Sequence, residues 1–312
     1  MVPPVEPGPA DGCSGNRLDP VPPPGATVRC VKQSMETEPR AYWDEEAGPR
    51  WAEAQRMIDR VLEPVSSTLV ERAVPASGEL VLDIGCGSGA LSLEVAGRVG
   101  EAGLVVGVDV ASSLVEQARS RSVGRPNVEF LLADAEEDAL PPSALVLSRF
   151  GVMFFRDSRR AFANLRRALD ERAGRLAVAC WQSVELNPWI TWPMAALGDL
   201  ADRLERPVDP HADVPGPFRF ADRDRLEQVL RDAGFVDVVV EAVARPLVLA
   251  GSAEEILGFT RRIGPLSRAL GQLDETASGI ALQRVAARLA ELHDGREMRL
   301  DAAWWVASAQ AG

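Results

Sequence analysis

The chain has 312 residues and a net charge of -12, and its only lysine is Lys32. Because so acidic a chain repels phosphate backbones, we expect no nucleic-acid partner. Two histidines and four scattered cysteines predict neither a metal centre nor a disulfide framework. Apolar runs fall short of the ~20 residues that cross a bilayer, and no basic region followed by an apolar core opens the chain. A cytoplasmic protein without a membrane partner is therefore expected.

The N-terminal part of the chain changes character near residue 34. Residues 1–34 are rich in proline and lack apolar periodicity, which predicts a disordered tail. Apolar residues at three- and four-residue spacing then predict an N-terminal helical lid over 35–75, which Pro64 kinks or divides. Met35 stands just before this region and is an alternative start of the chain.

Strand-like and helix-like segments alternate from residue 76 to residue 181, the expected cofactor-binding core. The predicted strands cover 79–84, 104–109, 128–132, 144–148 and 175–181. This alternation is typical of a parallel sheet with helices on both faces. We expect Ser112 or Ser113 to cap the helix after the second strand, because their hydroxyls can accept from its first free N–H groups.

The alternation breaks after residue 181. The proline-rich segment 182–221 and the helical segment 252–293 are too long for simple connections and are interpreted as insertions that form a substrate cap. Strands at 236–242 and 302–309 bring the sheet to seven strands, the last one closing it. The sequence thus predicts a Rossmann-like, doubly wound α/β fold in which 182–312 supplies the rest of the sheet.

A glycine-rich turn carries the chemistry of this sequence. A strand ends in Asp83 and turns through Gly85, Gly87 and Gly89 into a helix. Glycine lets the backbone turn sharply and lets a ligand approach, and the helix N-terminus offers free N–H groups. Such a loop serves NAD(P) as well as S-adenosylmethionine, so the glycines alone do not distinguish the two cofactors.

Three carboxylates follow the predicted strands, and two of them, Asp83 and Asp134, distinguish the two cofactors. Asp83, two residues before the first glycine, would crowd a pyrophosphate but suits the amino group of a methionine moiety, directly or through water. Asp109 ends the second predicted strand and can hold the ribose hydroxyls of either cofactor. Asp134, after the third strand, can accept from the adenine amino group while the N–H of Ala135 reaches the ring. Together they favour S-adenosylmethionine.

These residues resemble the class I S-adenosylmethionine-dependent methyltransferases, in the small-molecule branch near the ubiquinone/menaquinone-type enzymes. The segment Ser148–Phe155 and Cys180-Trp181 also match, and Tyr42-Trp43 resembles the lid that covers the cofactor in relatives. The resemblance implies cofactor binding by thirteen residues: Tyr42, Trp43, Asp83, Gly85, Cys86, Gly87, Gly89, Asp109, Val110, Asp134, Ala135, Ser148 and Arg149.

The function expected from this resemblance is methyl transfer to a small molecule by in-line displacement, with the two insertions and the lid forming the acceptor pocket. We expect that pocket to contain Phe150, Met153, Trp181, Trp189 and Trp192. A general base is needed only where the acceptor must lose a proton early; the catalytic residues are not identified, and the candidates are His211, Tyr42 and Glu185.

Two departures and two alternatives accompany this expectation. Pro141-Pro142-Ser143-Ala144 replaces the Phe-Asp that relatives often carry before the fourth strand, and the Asn/Asp-Pro-Pro-aromatic motif is absent, which disfavours nucleobase methylation. A cofactor-binding pseudo-enzyme or regulatory module stays open, as does an NAD(P)-dependent oxidoreductase, which Asp83 and Asp134-Ala135 disfavour. The sequence leaves open the oligomeric state and whether oxygen, nitrogen or carbon accepts the methyl group.

Overall fold

The fold is described by a computed structural model that covers residues 38–204 and 213–312. The predicted disordered tail and His211 lie outside these residues. The described residues contain nine strands: β1 (Leu80–Ile84), β2 (Leu104–Asp109), β3 (Val128–Leu132), β4 (Leu145–Arg149), β5 (Arg175–Trp181), β6 (Val236–Ala244), β7 (Leu247–Ala250), β8 (Glu297–Leu300) and β9 (Ala303–Gln310). Seven of them form the main sheet, in the order β3-β2-β1-β4-β5-β9-β6.

The main sheet confirms the predicted doubly wound α/β fold. Strands β1 to β5 pair in parallel, and β9 runs antiparallel between β5 and β6. The last strand of the chain is therefore inserted into the sheet, and β6 forms the edge. Helices cover both faces, which explains why the central strands are almost wholly apolar.

Eleven helices are longer than one turn among the described residues. They are α1 (Gly48–Glu53), α2 (Gln55–Val61), α3 (Glu63–Ala73), α4 (Ala90–Val99), α5 (Ser112–Arg121), α6 (Ser158–Ala168), α7 (Pro188–Ala195), α8 (Arg223–Asp232), α9 (Ala253–Arg262), α10 (Pro265–Leu270) and α11 (Glu275–Leu292). A π-helix, Tyr42–Ala47, precedes α1, and 3₁₀ turns cover Gly151–Phe154, Val184–Leu186 and Gly198–Arg203. No helix within 38–204 and 213–312 has the length and apolarity to cross a membrane.

The centre of the sheet fixes where a ligand can bind. The chain leaves β1 towards β2 on one side, whereas β4 and β5 extend the sheet on the other. Such a change of direction opens a crevice at the carboxyl ends of the strands. The loops after β1 and β4 meet there so closely that a Cβ atom on Gly85 would lie 2.7 Å from Cα of Gly151.

The helical lid is divided where the sequence predicts it. Helix α2 ends at Val61, and Pro64 lies in the first turn of α3, where its missing N–H costs no helical hydrogen bond. The break separates α1 and α2, which cover the crevice, from α3, which packs against β4, β5 and β9.

Three expectations about local structure need correction. Neither Ser112 nor Ser113 caps α5: the N-cap position is Ala111, and a carboxylate from the π-helix, that of Asp44, takes over the capping role. The second insertion contains an unpredicted helix, α10, and is enclosed by the unpredicted pair of strands β7 and β8. These short elements carry too few residues to show a period in the sequence.

Candidate functional site

A cavity of about 310 Å³ lies at the carboxyl ends of β1, β2 and β4, and is referred to below as the glycine-loop cavity. Gly85, Cys86 and Gly87 line it from the loop after β1. Its volume falls within the range of about 300–1,000 Å³ that ligand pockets occupy. Gly87 has a φ of +54°, and a Cβ atom there would meet no protein atom within 4 Å. The backbone at this position therefore faces open space inside the cavity.

Asp109 is fixed at the end of β2 by backbone amides. Its Oδ2 accepts from the N–H of Gly87 at 2.8 Å, and its Oδ1 accepts from the N–H of Ala111 at 2.9 Å. Burial raises the pKa of Asp109, although these amides stabilise the charged form. Asp109 and Val110 both line the cavity, so the carboxylate is held rigidly with its remaining lone pairs available to a ligand.

The loop after β3 forms another wall of the cavity. Asp134 and Ala135 line it, and Oδ1 of Asp134 accepts from the N–H of Glu136 at 2.9 Å. The buried side chain of Glu136 accepts from the N–H groups of Arg156 and Asp157 at 2.8 and 3.1 Å. The loop is thus tied to the start of α6, and its polar groups are held in position at the cavity.

Four of the expected cofactor-binding residues do not line the cavity: Tyr42, which lines the second cavity described below, and Asp83, Gly89 and Ser148. Asp83 is buried beneath the glycine loop, where its Oδ2 accepts from the hydroxyl of Ser92 at 2.6 Å. Gly89 packs against the ring of Phe130, and the hydroxyl of Ser148 donates to the carbonyl of Ile84 at 2.7 Å. Each of them supports the residues that form the cavity wall. The role of Asp83 towards an amino group stays a prediction.

Two opposite charges lie close together under this cavity. Burial raises the pKa of Asp83 to about 6, and its Oδ1 has no hydrogen-bond partner among the described residues. Arg149, at the end of β4, lines the cavity and donates to the hydroxyl of Ser66 at 2.7 Å. Burial lowers the pKa of Arg149, while the negative charge of Asp83 opposes that shift. The guanidinium is a half-buried positive charge at the wall of this cavity, where it can pair with an anionic ligand group.

Aromatic residues of the lid cover the cavity. The ring of Trp43 lies 5.4 Å from that of Trp51 and 5.0 Å from that of Phe154. The lid is fastened to the core by Asp44, whose Oδ1 accepts from both the N–H and the hydroxyl of Ser112 at 2.7 Å. Since α5 begins just after Asp109, this contact ties the lid to the carboxylate at the end of β2.

A second cavity, of about 170 Å³, adjoins the first and is called the aromatic cavity. All five residues expected in the acceptor pocket line it: Phe150, Met153, Trp181, Trp189 and Trp192. The rings of Phe150 and Trp181 are stacked, with centroids 3.9 Å apart and planes within 18° of parallel. Phe150 has a φ of +69°, which a bulky residue rarely adopts, and such strain collects at functional sites.

The three base candidates are placed differently. Tyr42 is buried and lines the aromatic cavity rather than the glycine-loop cavity. Glu185 is exposed and lines neither cavity. His211 lies outside the described residues. Of the three candidates, Tyr42 is therefore the one that the described residues place at a cavity.

Comparison with known proteins assigns the family. A family model described as a methyltransferase domain matches residues 81–172. The chain is 31% identical to nocamycin O-methyltransferase of Saccharothrix syringae over 210 residues, which cover 63% of this chain and 73% of that protein. The chain belongs to the class I S-adenosylmethionine-dependent methyltransferases. This confirms the family expected from the sequence, and S-adenosylmethionine is the cofactor of that family.

Other methyltransferases are similar over parts of the chain. Aklanonic acid methyltransferase of Streptomyces sp. (strain C5) is 37% identical over 118 residues, or 36% of this chain, and the chain spans about half (53%) of that protein's length. The structure of a protein assigned as a methyltransferase of an antibiotic biosynthesis pathway in Anabaena variabilis aligns with a TM-score of 0.54 and 18% identity. It covers 80% of this chain and 98% of that one, and supports the fold.

The residues of the glycine-loop cavity fit S-adenosylmethionine. The open space over Gly87 leaves room for a ligand against the backbone, which a side chain would fill. Asp109 presents a fixed acceptor for hydroxyl groups, and Arg149 presents a positive charge for a carboxylate. An adenine ring, a ribose and an amino acid each have chemically matched groups along this cavity.

Several residues of the site were not identified from the sequence. Asp44, Trp51 and Phe154 shape the lid side of the cavity, and Glu136 fixes the loop after β3. In the sequence, Trp51 is one of the apolar residues whose spacing predicts the helical lid. Asp134 and Glu136 are two positions apart in the sequence, and this spacing could have indicated a structured acidic loop. No pattern in the sequence pairs Asp44 with a serine 68 positions away.

Proposed function

We propose that this chain transfers a methyl group from S-adenosylmethionine to a small, largely apolar acceptor. The observation that carries the proposal is the wall between the glycine-loop cavity and the aromatic cavity. Six apolar residues line both: Trp43, Trp51, Ile58, Leu62, Phe150 and Phe154. A donor in the first cavity and an acceptor in the second would meet at these side chains.

The chain's own residues would orient the cofactor. Asp109 would accept hydrogen bonds from the ribose hydroxyls, and Asp134 with the N–H of Ala135 would contact the adenine edge. The backbone at Gly85 and Gly87 would lie against the methionine portion, whose carboxylate would pair with Arg149. Such charge-assisted contacts are stronger than neutral hydrogen bonds, so they would fix the position of the sulfonium.

The main catalytic contribution would be positioning. When bound, S-adenosylmethionine supplies an already activated methyl group for in-line displacement. The aromatic residues of the shared wall would hold the acceptor in line with it and exclude water. Holding two reactants in attack geometry can lower a barrier by about 7–11 kcal/mol. The strained backbone of Phe150, stacked on Trp181, would fix the wall at the place where the reacting atoms meet.

The relatives support a small acceptor. One is named for the methylation of nocamycin and the other for the methylation of aklanonic acid. Both names describe small molecules rather than proteins or nucleic acids. The net charge of -12 also disfavours a nucleic-acid acceptor.

A turnover assay tests this proposal. The protein is incubated with S-adenosylmethionine and a panel of phenols, amines and carboxylic acids, and S-adenosylhomocysteine and methylated products are measured by mass spectrometry. We expect at least one acceptor to be methylated, and the product to disappear in Asp109→Ala. A protein that binds S-adenosylhomocysteine but methylates no acceptor would be a regulatory module. Binding of NADH instead would indicate an oxidoreductase.

A further inference from the structure

The charged side chains of the aromatic cavity all have the same sign. Among the described residues that line it, the charged ones are Arg50, Arg262 and Arg268. Arg262 and Arg268 are exposed at its mouth, and no described carboxylate forms an ion pair with either of them. Arg50 donates to the hydroxyl of Ser267 at 3.3 Å, and the carboxylate of Glu46 lies 4.0 Å away. The cavity therefore presents a positive rim.

The interior of the same cavity suits a planar ring. Trp181 is stacked on Phe150, and the ring of Trp189 lies 4.9 Å from that of Trp181. The volume of about 170 Å³ slightly exceeds the roughly 150 Å³ of an apolar cavity that binds benzene. Aromatic side chains contribute large apolar contact areas and stack on other rings. A positive rim above an aromatic interior favours an aromatic anion.

Among the described residues that line the cavity, none carries a carboxylate, an imidazole or an amine that could remove a proton. This described lining contains neither aspartate, glutamate, histidine nor lysine. Besides its three arginines, Tyr42 is the only titratable residue in it. A phenol that attacks must lose a proton to a base before or during the transfer, and an amine that is protonated at neutral pH must lose a proton before it can attack. A carboxylic acid needs no such base, because it is already ionised at neutral pH.

We propose that the methyl acceptor is an aromatic carboxylic acid, bound as its carboxylate, and that the product is a methyl ester. The proposal rests on the proposed methyltransferase function. A carboxylate oxygen would form the bond to the methyl carbon as the sulfur–carbon bond breaks. The negative charge of the carboxylate and the positive charge of the sulfonium cancel, and no proton is released. The arginines would attract the acid and hold its anionic form at the cavity.

The experiment measures binding of three matched probes to the full chain saturated with S-adenosylhomocysteine. They are 2-naphthoate, the neutral 2-naphthamide and the cationic 2-naphthylmethylammonium, and the signal is quenching of tryptophan fluorescence. We expect 2-naphthoate to bind at least about ten-fold more tightly than either of the others. We expect Arg262→Gln and Arg268→Gln each to reduce that preference by about three-fold, since exposed charges are partly screened.

Arg261→Gln is the matched control, because Arg261 is exposed on the same helix but does not line the cavity. It should leave the preference unchanged. Equal binding of the three probes, a preference for the amide or the ammonium, or no binding of 2-naphthoate would overturn the proposal. An equal effect of Arg261→Gln and Arg262→Gln would overturn the role of the rim.

Product analysis separates this inference from the proposed function. With S-adenosylmethionine and aromatic acids, we expect an alkali-labile methyl ester whose formation survives His211→Asn. If only phenols or amines are methylated, the acceptor class is wrong while the methyltransferase function stands. If S-adenosylhomocysteine does not bind in a separate titration, the proposed methyltransferase function is wrong, whatever the acceptor class.

Discussion

Substitution by alanine at two glycines of the loop after β1 should have different effects: one should mainly weaken cofactor binding, and the other should mainly lower the stability of the fold. At Gly87 a Cβ atom would meet no protein atom within 4 Å, whereas at Gly85 it would lie 2.7 Å from the backbone of Gly151. Both glycines have left-handed φ angles, +54° and +65°. The methyl group of Gly87→Ala would therefore contact no protein atom and would reduce the space left for a ligand. The methyl group of Gly85→Ala would clash with the backbone of Gly151.

The magnitudes follow from these contacts. Forcing alanine into the left-handed region costs about 1–2 kcal/mol, which lowers the Tm of a chain of this size by roughly 2–8 °C. Gly87→Ala should lose no more stability than this, but should bind S-adenosylhomocysteine at least about ten-fold more weakly, a loss of ~1.4 kcal/mol or more. Gly85→Ala should lose a further ~1–3 kcal/mol of folding free energy, because the contact with Gly151 must be relieved by a backbone shift.

Thermal unfolding and calorimetric titration with S-adenosylhomocysteine measure the two effects separately. Gly124→Ala is the control, since Gly124 has a φ of +83°, has no neighbour that a Cβ atom would meet, and does not line the cavity. It should show the conformational cost alone. A folded Gly87→Ala protein with wild-type affinity would refute the assignment of this cavity to the cofactor.

Three further predictions concern the lid, the buried acid and the aromatic cavity. Asp44→Ala should lower the free energy of unfolding by about 1 kcal/mol relative to the exposed control Glu45→Ala. Hydrogen bonds from Ser112 lower the pKa of Asp44 from 3.8, so the charged carboxylate stabilises the fold. Denaturant titrations should therefore show the full difference between the two variants above pH 3.8 and no difference once the pH has fallen below the lowered pKa. Because burial raises the pKa of Asp83, the folded state retains a proton that the unfolded chain has released. The stability of the wild type relative to Asp83→Asn should therefore decrease by about 3 kcal/mol as the pH rises from 3.8 to about 6, and a constant difference would contradict this. Trp189→Ala should weaken binding of 2-naphthoate but not of S-adenosylhomocysteine. Parallel titrations with the two ligands check whether each cavity binds its own ligand.

The sequence predicts the centre of the fold because the signals there are local. Both β1 and β2 are short apolar strands with an acid at or next to the last residue, and Asp109 follows Gly89 at the spacing that brings strand ends together in a doubly wound sheet. The same alternation predicts that these strands run in parallel. The position of β9 between β5 and β6 depends on long-range pairing, so the sequence indicates the strand but not its place.

The less predictable features are contacts between distant residues. Ser112 looks like an N-cap, yet Ala111 occupies that position because Asp44 supplies the acceptor from the lid. The arginines at the mouth of the aromatic cavity show the same difficulty. Arg262 and Arg268 are ordinary surface residues in the sequence, and only the packing of α9 and α10 brings them to one cavity.

The most direct test of the central claim is calorimetric titration of the wild type and of Asp109→Ala with S-adenosylhomocysteine, with NADH as the competing ligand and Asp301→Ala as a control at an exposed aspartate. We predict micromolar binding of S-adenosylhomocysteine to the wild type and to Asp301→Ala, markedly weaker binding to Asp109→Ala, and no response to NADH. Binding of NADH, or wild-type affinity in Asp109→Ala, would contradict the assignment of the glycine-loop cavity to S-adenosylmethionine.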